Sequence, residues 1–150
     1  MSNIHQYKTK VYYEDTDAGG IVYYANYLKF TERARTEMIY HQLKLNHRQI
    51  KKEYNVGFVV KFCDMKFHKP AQFEDEIVVL TKILKKTPVR LNLSQDIKKD
   101  EDLLVSSNVE LAVINDKGLV QKLPEVLYKK IWIHPYFFIN KVVKLICEIQ

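Results

Sequence analysis

Val89-Arg90-Leu91-Asn92-Leu93-Ser94-Gln95-Asp96-Ile97-Lys98 alternates, with Val89, Leu91, Leu93, Gln95 and Ile97 on one side and Arg90, Asn92, Ser94, Asp96 and Lys98 on the other. A period of two belongs to a strand with one dry and one wet face. Similar runs occupy 56 to 67, 76 to 85 and 103 to 114, where Leu103, Val105, Ser107, Val109, Leu111 and Val113 share a face. Lys99-Asp100-Glu101-Asp102 and Asn115-Asp116-Lys117-Gly118 have the composition of hairpin turns, which join antiparallel neighbours. A further strand enters at residues 7 to 13, rich in β-branched and aromatic types.

Upstream of these runs the period lengthens. Tyr27, Phe30, Ala34 and Met38 form one stripe while Lys29, Glu32, Arg33 and Arg35 are polar, which predicts a helix from an Asn26 N-cap to about Leu45. A second helical piece spans Asn46 to Tyr54. Four or more antiparallel strands and one long helix bury their apolar surfaces only if the helix covers the sheet, an α+β arrangement. In the tail from Ile131 to Gln150, Phe138, Val142, Leu145, Ile146 and Ile149 stand opposite Lys141 and Lys144. That stripe is too interrupted to span a bilayer; packing on its own domain or a partner subunit is favoured over lying on a membrane surface. Residues 1 to 130 thus read as one domain and 131 to 150 as an appended amphipathic tail.

A chain of 150 residues is long enough for one domain that buries roughly two thirds or more of its unfolded surface. Cys63 and Cys147 are far apart and show neither CxxC nor Cys/His spacing, which argues for free thiols in a reducing compartment and against a zinc site. The N-terminal residues Met1 to Gln6 carry no export signal, so a cytoplasmic protein is expected. The net charge of +6 suits an anionic partner of some kind. No aromatic-basic RNA-binding pattern accompanies it, and nucleic acid is not expected as a partner. His41, His47 and His68 form no metal motif.

The chemistry concentrates in Glu14-Asp15-Thr16-Asp17-Ala18-Gly19-Gly20, just before the helix. Asp15, Asp17 and Gly20 match positions one, three and six of a calcium loop. Position five would be Gly19 and position twelve Asn26, so essential ligands are missing. A Gly-Gly pair outside GxGxxG or GxxxxGK[ST] is a poor phosphate cradle. Asp17 beside a helix N-terminus could act on an electrophilic carbonyl, with the unpaired N–H groups stabilising the oxyanion. On the residues alone, a purely structural turn in which Asp15 and Asp17 act as caps stays open.

Tyr13-Glu14-Asp15-Thr16-Asp17-Ala18-Gly19-Gly20-Ile21-Val22-Tyr23-Tyr24-Ala25-Asn26-Tyr27, followed by Glu32-Arg33-Ala34-Arg35-Thr36-Glu37, resembles the signature of hot-dog fold acyl-CoA thioesterases. It is most similar to the Tol-Pal-associated subgroup of the 4-hydroxybenzoyl-CoA thioesterase-like family. Phe58-Val59-Val60 and Pro70-Ala71 with Asp75 extend the likeness over roughly residues 7 to 125. The resemblance implies a hot-dog fold, a long central helix wrapped by a curved antiparallel sheet. It also implies homodimers that join two sheets edge to edge and often pair further into homotetramers, with active sites between protomers. By this likeness Asp17 is the catalytic carboxylate, as nucleophile or general base, and the Tyr24 backbone N–H polarises the thioester carbonyl. Val22, Tyr23 and Asn26 line the same turn. The subgroup usually has histidine where Tyr24 stands, and tyrosine there is similar to the 4-hydroxybenzoyl-CoA branch; acyl preference is left open.

An acyl-CoA substrate needs cations for the phosphates of coenzyme A. Lys85, Lys86 and Arg90, around the turn at Pro88, are the candidates, with Lys66 and Lys69 behind them. Glu32 reads as an ion-pair partner on the helix. No cofactor is expected, since CoA is part of the substrate. The alternative function is a non-catalytic scaffold of the same fold that binds acyl-CoA or acyl carrier protein at the membrane.

Overall fold

The computed structural model describes residues 3 to 135. Five strands form one antiparallel sheet: β1 (Ile4–Lys10), β2 (Gly57–Phe67), β3 (Glu76–Thr87), β4 (Arg90–Lys99) and β5 (Asp102–Ile114). Their order is β1-β3-β4-β5-β2. The alternation in β4 is realised as read, with Leu91, Leu93 and Ile97 in the core and their neighbours facing out. In β5 the face switches at one point. A register shift sets Ile97 against Val105 but Lys98 against Leu103, and the extra residue, Leu104, turns inward while Leu103 is half-exposed.

Helix α1 (Tyr27–Leu43) lies on the apolar face of the sheet, followed by α2 (His47–Tyr54) and, after β5, the short α3 (Glu125–Tyr128). Tyr27, Phe30 and Ala34 pack with Val79, Ile97 and Val105 at one end of the helix. Met38, Ile39 and Leu43 pack with Ile83, Leu91, Leu93 and Leu111 at the other, where Leu127 and Ile131 join them. A polar layer separates the two clusters. The fully buried Gln95 side chain donates to Thr31 O (3.1 Å) and Thr81 Oγ1 (2.9 Å) and accepts from Arg35 (2.9 Å). A glutamine on the dry face is tolerated because its amide is bonded on both sides; burial also pulls the Arg35 guanidinium below its usual pKa.

Three boundaries differ from expectation. The first strand runs from Ile4 to Lys10, not 7 to 13, because β3 supplies its partners: Ile4 faces Lys82 and Lys10 faces Glu76. Beyond Val11 no partner continues, and Tyr12 and Tyr13, despite their strand propensity, stand largely in solvent. Helix α1 stops at Leu43, because Lys44 takes a left-handed conformation (φ 56°) and donates to Tyr40 O. Asn26 stands at the expected N-cap position of α1 but makes no capping bond: its own dihedrals are helical, and a 3-10 turn at Tyr24–Asn26 leads into the helix. Asn46, by contrast, caps α2 through its side chain, accepting from the Gln49 N–H.

The described residues contain no helix long and apolar enough to cross a membrane. The stripe expected in the tail, Phe138 to Ile149, lies outside the described residues. Of the tail, Ile131 is buried, the Trp132 N–H donates to Gln42 and the His134 N–H donates to Ile83 O.

Candidate active site

After β1 the chain makes a 3-10 turn at Tyr13–Asp15 and then a miniature hairpin. Thr16 bridges Val22, and the Asp17 N–H donates to Ile21 O at 2.9 Å. The turn closes with the Gly20 N–H on Asp17 O, and Gly20 sits at φ +80°, where a side chain would be strained. Gly19 bears on the carboxylate itself. Its N–H donates to Asp17 Oδ1 at 2.8 Å, and a Cβ there would come within 3.1 Å of that oxygen. Asp17 is exposed, with Oδ2 taking no donor among the described residues.

The second arm of the hairpin runs straight into the helix. Val22 donates to Ala71 O and Tyr23 to Asp15 O, both at 2.9 Å, and Tyr23 is still extended (φ −61°, ψ 128°). Helical geometry begins at Tyr24. First-turn N–H groups have no acceptor one turn back, and among the described residues those of Tyr24 and Ala25 have none; Asn26 N–H, the next, already bonds Tyr23 O. The positive end of the helix therefore opens at Tyr24, on the same hairpin that carries Asp17.

Aromatic rings surround this opening. Tyr24 meets Tyr23 at 4.9 Å and Phe67 at 6.3 Å between centroids, and Phe67 also meets Tyr27. Tyr24, Tyr27, Phe67, Val22 and Pro70 line an open groove of about 270 Å³, with His68 and Lys69 at its rim. Tyr27 is buried, and its hydroxyl accepts the Ala71 N–H at 3.1 Å; burial pushes its phenol above the usual pKa. The neighbouring turn is pinned by Asp75, whose carboxylate accepts from the Gln72 N–H and Lys99. Partial burial pushes the Asp75 carboxyl upward, but the Lys99 and Gln72 bonds outweigh it and the net shift is down.

Of the residues singled out in sequence, Asp17, Val22, Tyr23, Tyr24 and Asn26 are brought together. Their roles separate. The Val22 side chain is buried in the groove wall, the exposed Tyr23 ring lies against that of Tyr24, and the Asn26 amide donates to Asp15 O at 2.9 Å. Lys85, Lys86 and Arg90 lie elsewhere in the chain. At about 3.4 Å per residue, β3 carries Lys85 and Lys86 roughly 30 Å from Glu76, which lies four residues past Gln72, the residue that bridges Ile21 of the Asp17 hairpin; Arg90 opens β4 opposite Thr87 at that same far end. Lys86 donates to Tyr128 O (2.7 Å) and Ile131 O (2.9 Å) and stands 4.1 Å from the Tyr128 ring, and burial lowers its pKa. Arg90 pairs with Glu110 at 3.2 Å. Phe67 was missed as a groove residue. Its only sequence signal was proximity to Pro70-Ala71, and nothing local says that the end of β2 meets the start of α1.

Residues 19 to 106, more than half of the chain, match the model of the thioesterase superfamily. The chain belongs to the thioesterase superfamily. Acyl-CoA thioester hydrolase YbgC of Escherichia coli O6:H1 is 36% identical to this thioesterase over 115 residues, 77% of this chain and 84% of that protein. Acyl-CoA thioesterase YbgC of Haemophilus influenzae is 32% identical over the same shares. The crystal structure of a probable thioesterase from Bartonella henselae superposes with a TM-score of 0.77 at 33% identity, covering 81% of this thioesterase and 99% of that chain. The α+β sheet-and-helix architecture described above is thus the hot-dog fold.

Proposed function

We propose that this thioesterase hydrolyses acyl-CoA thioesters to a carboxylic acid and free coenzyme A, with Asp17 as the acting carboxylate and the Tyr24 N–H as oxyanion donor. The observation that carries the reading is the unpaired Tyr24 N–H at a helix start, on the hairpin that also holds the exposed Asp17 carboxylate. As the acyl carbon becomes tetrahedral, negative charge develops on its oxygen, and a fixed N–H at the positive end of a helix favours that charge more than the neutral carbonyl. Asp17 attacks the carbon or takes a proton from water. In direct attack the C–S bond breaks to leave an acyl–Asp17 anhydride, which water then cleaves to the carboxylic acid and the free Asp17 carboxylate; in the water route the hydroxyl adds to the acyl carbon as Asp17 takes the proton, and the C–S bond breaks as the CoA thiolate is protonated. No metal or cofactor enters the reading.

Two copies complete it. Strand β2 ends the sheet, and Val59, Val60, Phe62 and Phe67 on it are exposed, a combination that invites pairing with another strand. Antiparallel joining of two β2 edges sets the Phe67 end of one chain beside the Gly57 end of the other. Lys85 and Arg90 then approach the Asp17 hairpin from the partner subunit, where they meet the CoA phosphates. A homodimer is the minimum assembly, and the cytoplasm its setting, consistent with cysteines that lack disulfide spacing.

The test is thiol release from a panel of aliphatic and aromatic acyl-CoAs, run alongside Asp17→Asn. Turnover that the substitution abolishes supports the reading. Silence across the panel from a folded, oligomeric sample replaces it with the non-catalytic scaffold that binds acyl-CoA or acyl carrier protein.

A further inference from the structure

We infer that Asn26 is a positioning residue that fixes the Tyr24 N–H relative to Asp17; the inference rests on the reading that these two groups carry the hydrolysis. Asp15 stands two residues before Asp17, and Asn26 two residues after Tyr24. The Asn26 Nδ2 donates to Asp15 O at 2.9 Å, and the Tyr23 N–H donates to the same oxygen at 2.9 Å. One carbonyl thus holds both sides of the oxyanion donor.

Asp15 is itself fixed. It is only 2% exposed, its Oδ2 accepts the Tyr12 N–H at 2.8 Å, and its own N–H donates to Tyr12 O at 3.0 Å. Buried polar groups bonded on several sides move little, so Asp15 is an anchor and not a second catalytic acid. Asn26 is the adjustable partner. It occupies a helical position (φ −73°, ψ −19°) without capping the helix, although asparagine is among the weaker helix formers. Its amide is directed back across the hairpin instead, joining the two reacting elements through a bond that spans eleven residues of sequence.

Without that bond the Tyr23–Asp15 backbone bond still closes the hairpin, but the turn starting at Tyr24 can pivot about it. Misplacement by about 1 Å costs on the order of 100-fold in rate when an oxyanion donor and an attacking group must both be in place. Ground-state binding of the CoA portion is remote from this geometry. The signature is a loss in kcat with KM nearly unchanged.

The experiment compares wild type, Asn26→Asp and Asn26→Ala in the full-length protein by steady-state thiol release. Melting temperature and affinity for a hydrolysis-resistant thioether analogue of acyl-CoA are measured in parallel. Asn26→Asp keeps the shape but replaces the donor with a charged acceptor facing the Asp15 carbonyl, whereas Asn26→Ala removes the donor without adding charge. A kcat lowered roughly 10- to 100-fold in both variants, with KM and analogue affinity within about threefold, is the expected result. Wild-type kcat in either variant overturns the inference, and so does a change confined to KM and analogue affinity, which would make Asn26 a substrate contact. If neither variant folds, the bond is architectural and the inference also falls. Full activity of Asp17→Asn would instead remove the underlying reading.

Discussion

At the Tyr24 end of the sheet and helix, two N–H groups go without acceptors among the described residues and several aromatic rings stand in solvent. At the Lys86 end the polar groups are turned to holding the chain. Lys86 grips the carbonyls of Tyr128 and Ile131, the Leu123 N–H donates to Pro88 O at 2.7 Å, and the His134 N–H donates to Ile83 O. The two ends share one sheet and one helix, yet differ in where their bonding capacity is directed. An N–H left to water at a helix start costs little and can meet a developing oxyanion. An ammonium sunk among carbonyls is committed, since removing it strands the acceptors it served. Charge alone therefore does not mark a binding site.

The sharpest way to break this contrast is Asp17→Asn. It is expected to lower kcat by about 10²- to 10⁴-fold, the usual range for a positioned acid or base. Its melting temperature should stay within a few degrees of wild type, since the side chain is exposed; most activity surviving in a thiol-release assay would leave the Tyr24 end without its assigned chemistry.

At the other end, Lys85→Ala with Arg90→Ala should raise KM for CoA esters roughly tenfold and spare kcat, as lost phosphate contacts do. An unchanged KM would confine both ends of the chain to separate duties even in the assembly. Lys86→Met behaves differently: it is expected to destabilise the fold by about 1–3 kcal/mol in a denaturant titration, with kcat and KM preserved. A KM effect without a stability loss would reverse its assignment as architecture.

The smallest effect concerns Asp75, which pins the turn next to the Asp17 hairpin. Its folded-state pKa is depressed, so the stability it contributes is present above its unfolded value, about 3.9, and is lost as pH falls through the lower folded value. Asp75→Asn should therefore lower the melting temperature by a few degrees at pH 7, and the gap to wild type should close in acid. A gap that shows no narrowing as the pH falls below the unfolded value would mean that the carboxylate's charge is not what matters.

Much of the fold was readable because its signals are local. The periods in β2 to β5, the stripe on α1 and the Asn46 start of α2 depend on residues a few positions apart, and each element was found within one to three residues of its expected ends. Where the reading missed, a distant partner intervened. Tyr12 and Tyr13 have strand-forming side chains, but β3 pairs only as far as Lys10, and the Val11 N–H makes a last bond to Asp75 O just before β3. Asn26 has the composition of a cap, but the Asp15 carbonyl claims its amide and the helical turn begins two residues earlier.

By itself the sequence determined that a carboxylate, a glycine turn and a helix start lie within sixteen residues, and that alternating strands must bury one face under that helix. Tertiary structure alone decided which groups remain available. It turned the Asn26 amide to the Asp15 carbonyl, delivered Phe67 to Tyr24 from the far end of β2, and set Lys85 and Lys86 at the far end of β3 and Arg90 at the start of β4, away from Asp17. The physical reason is that periodicity and turn chemistry arise between near neighbours in the chain. Whether a donor is satisfied, or a cation reachable, depends on atoms that only the packed sheet brings within bonding distance.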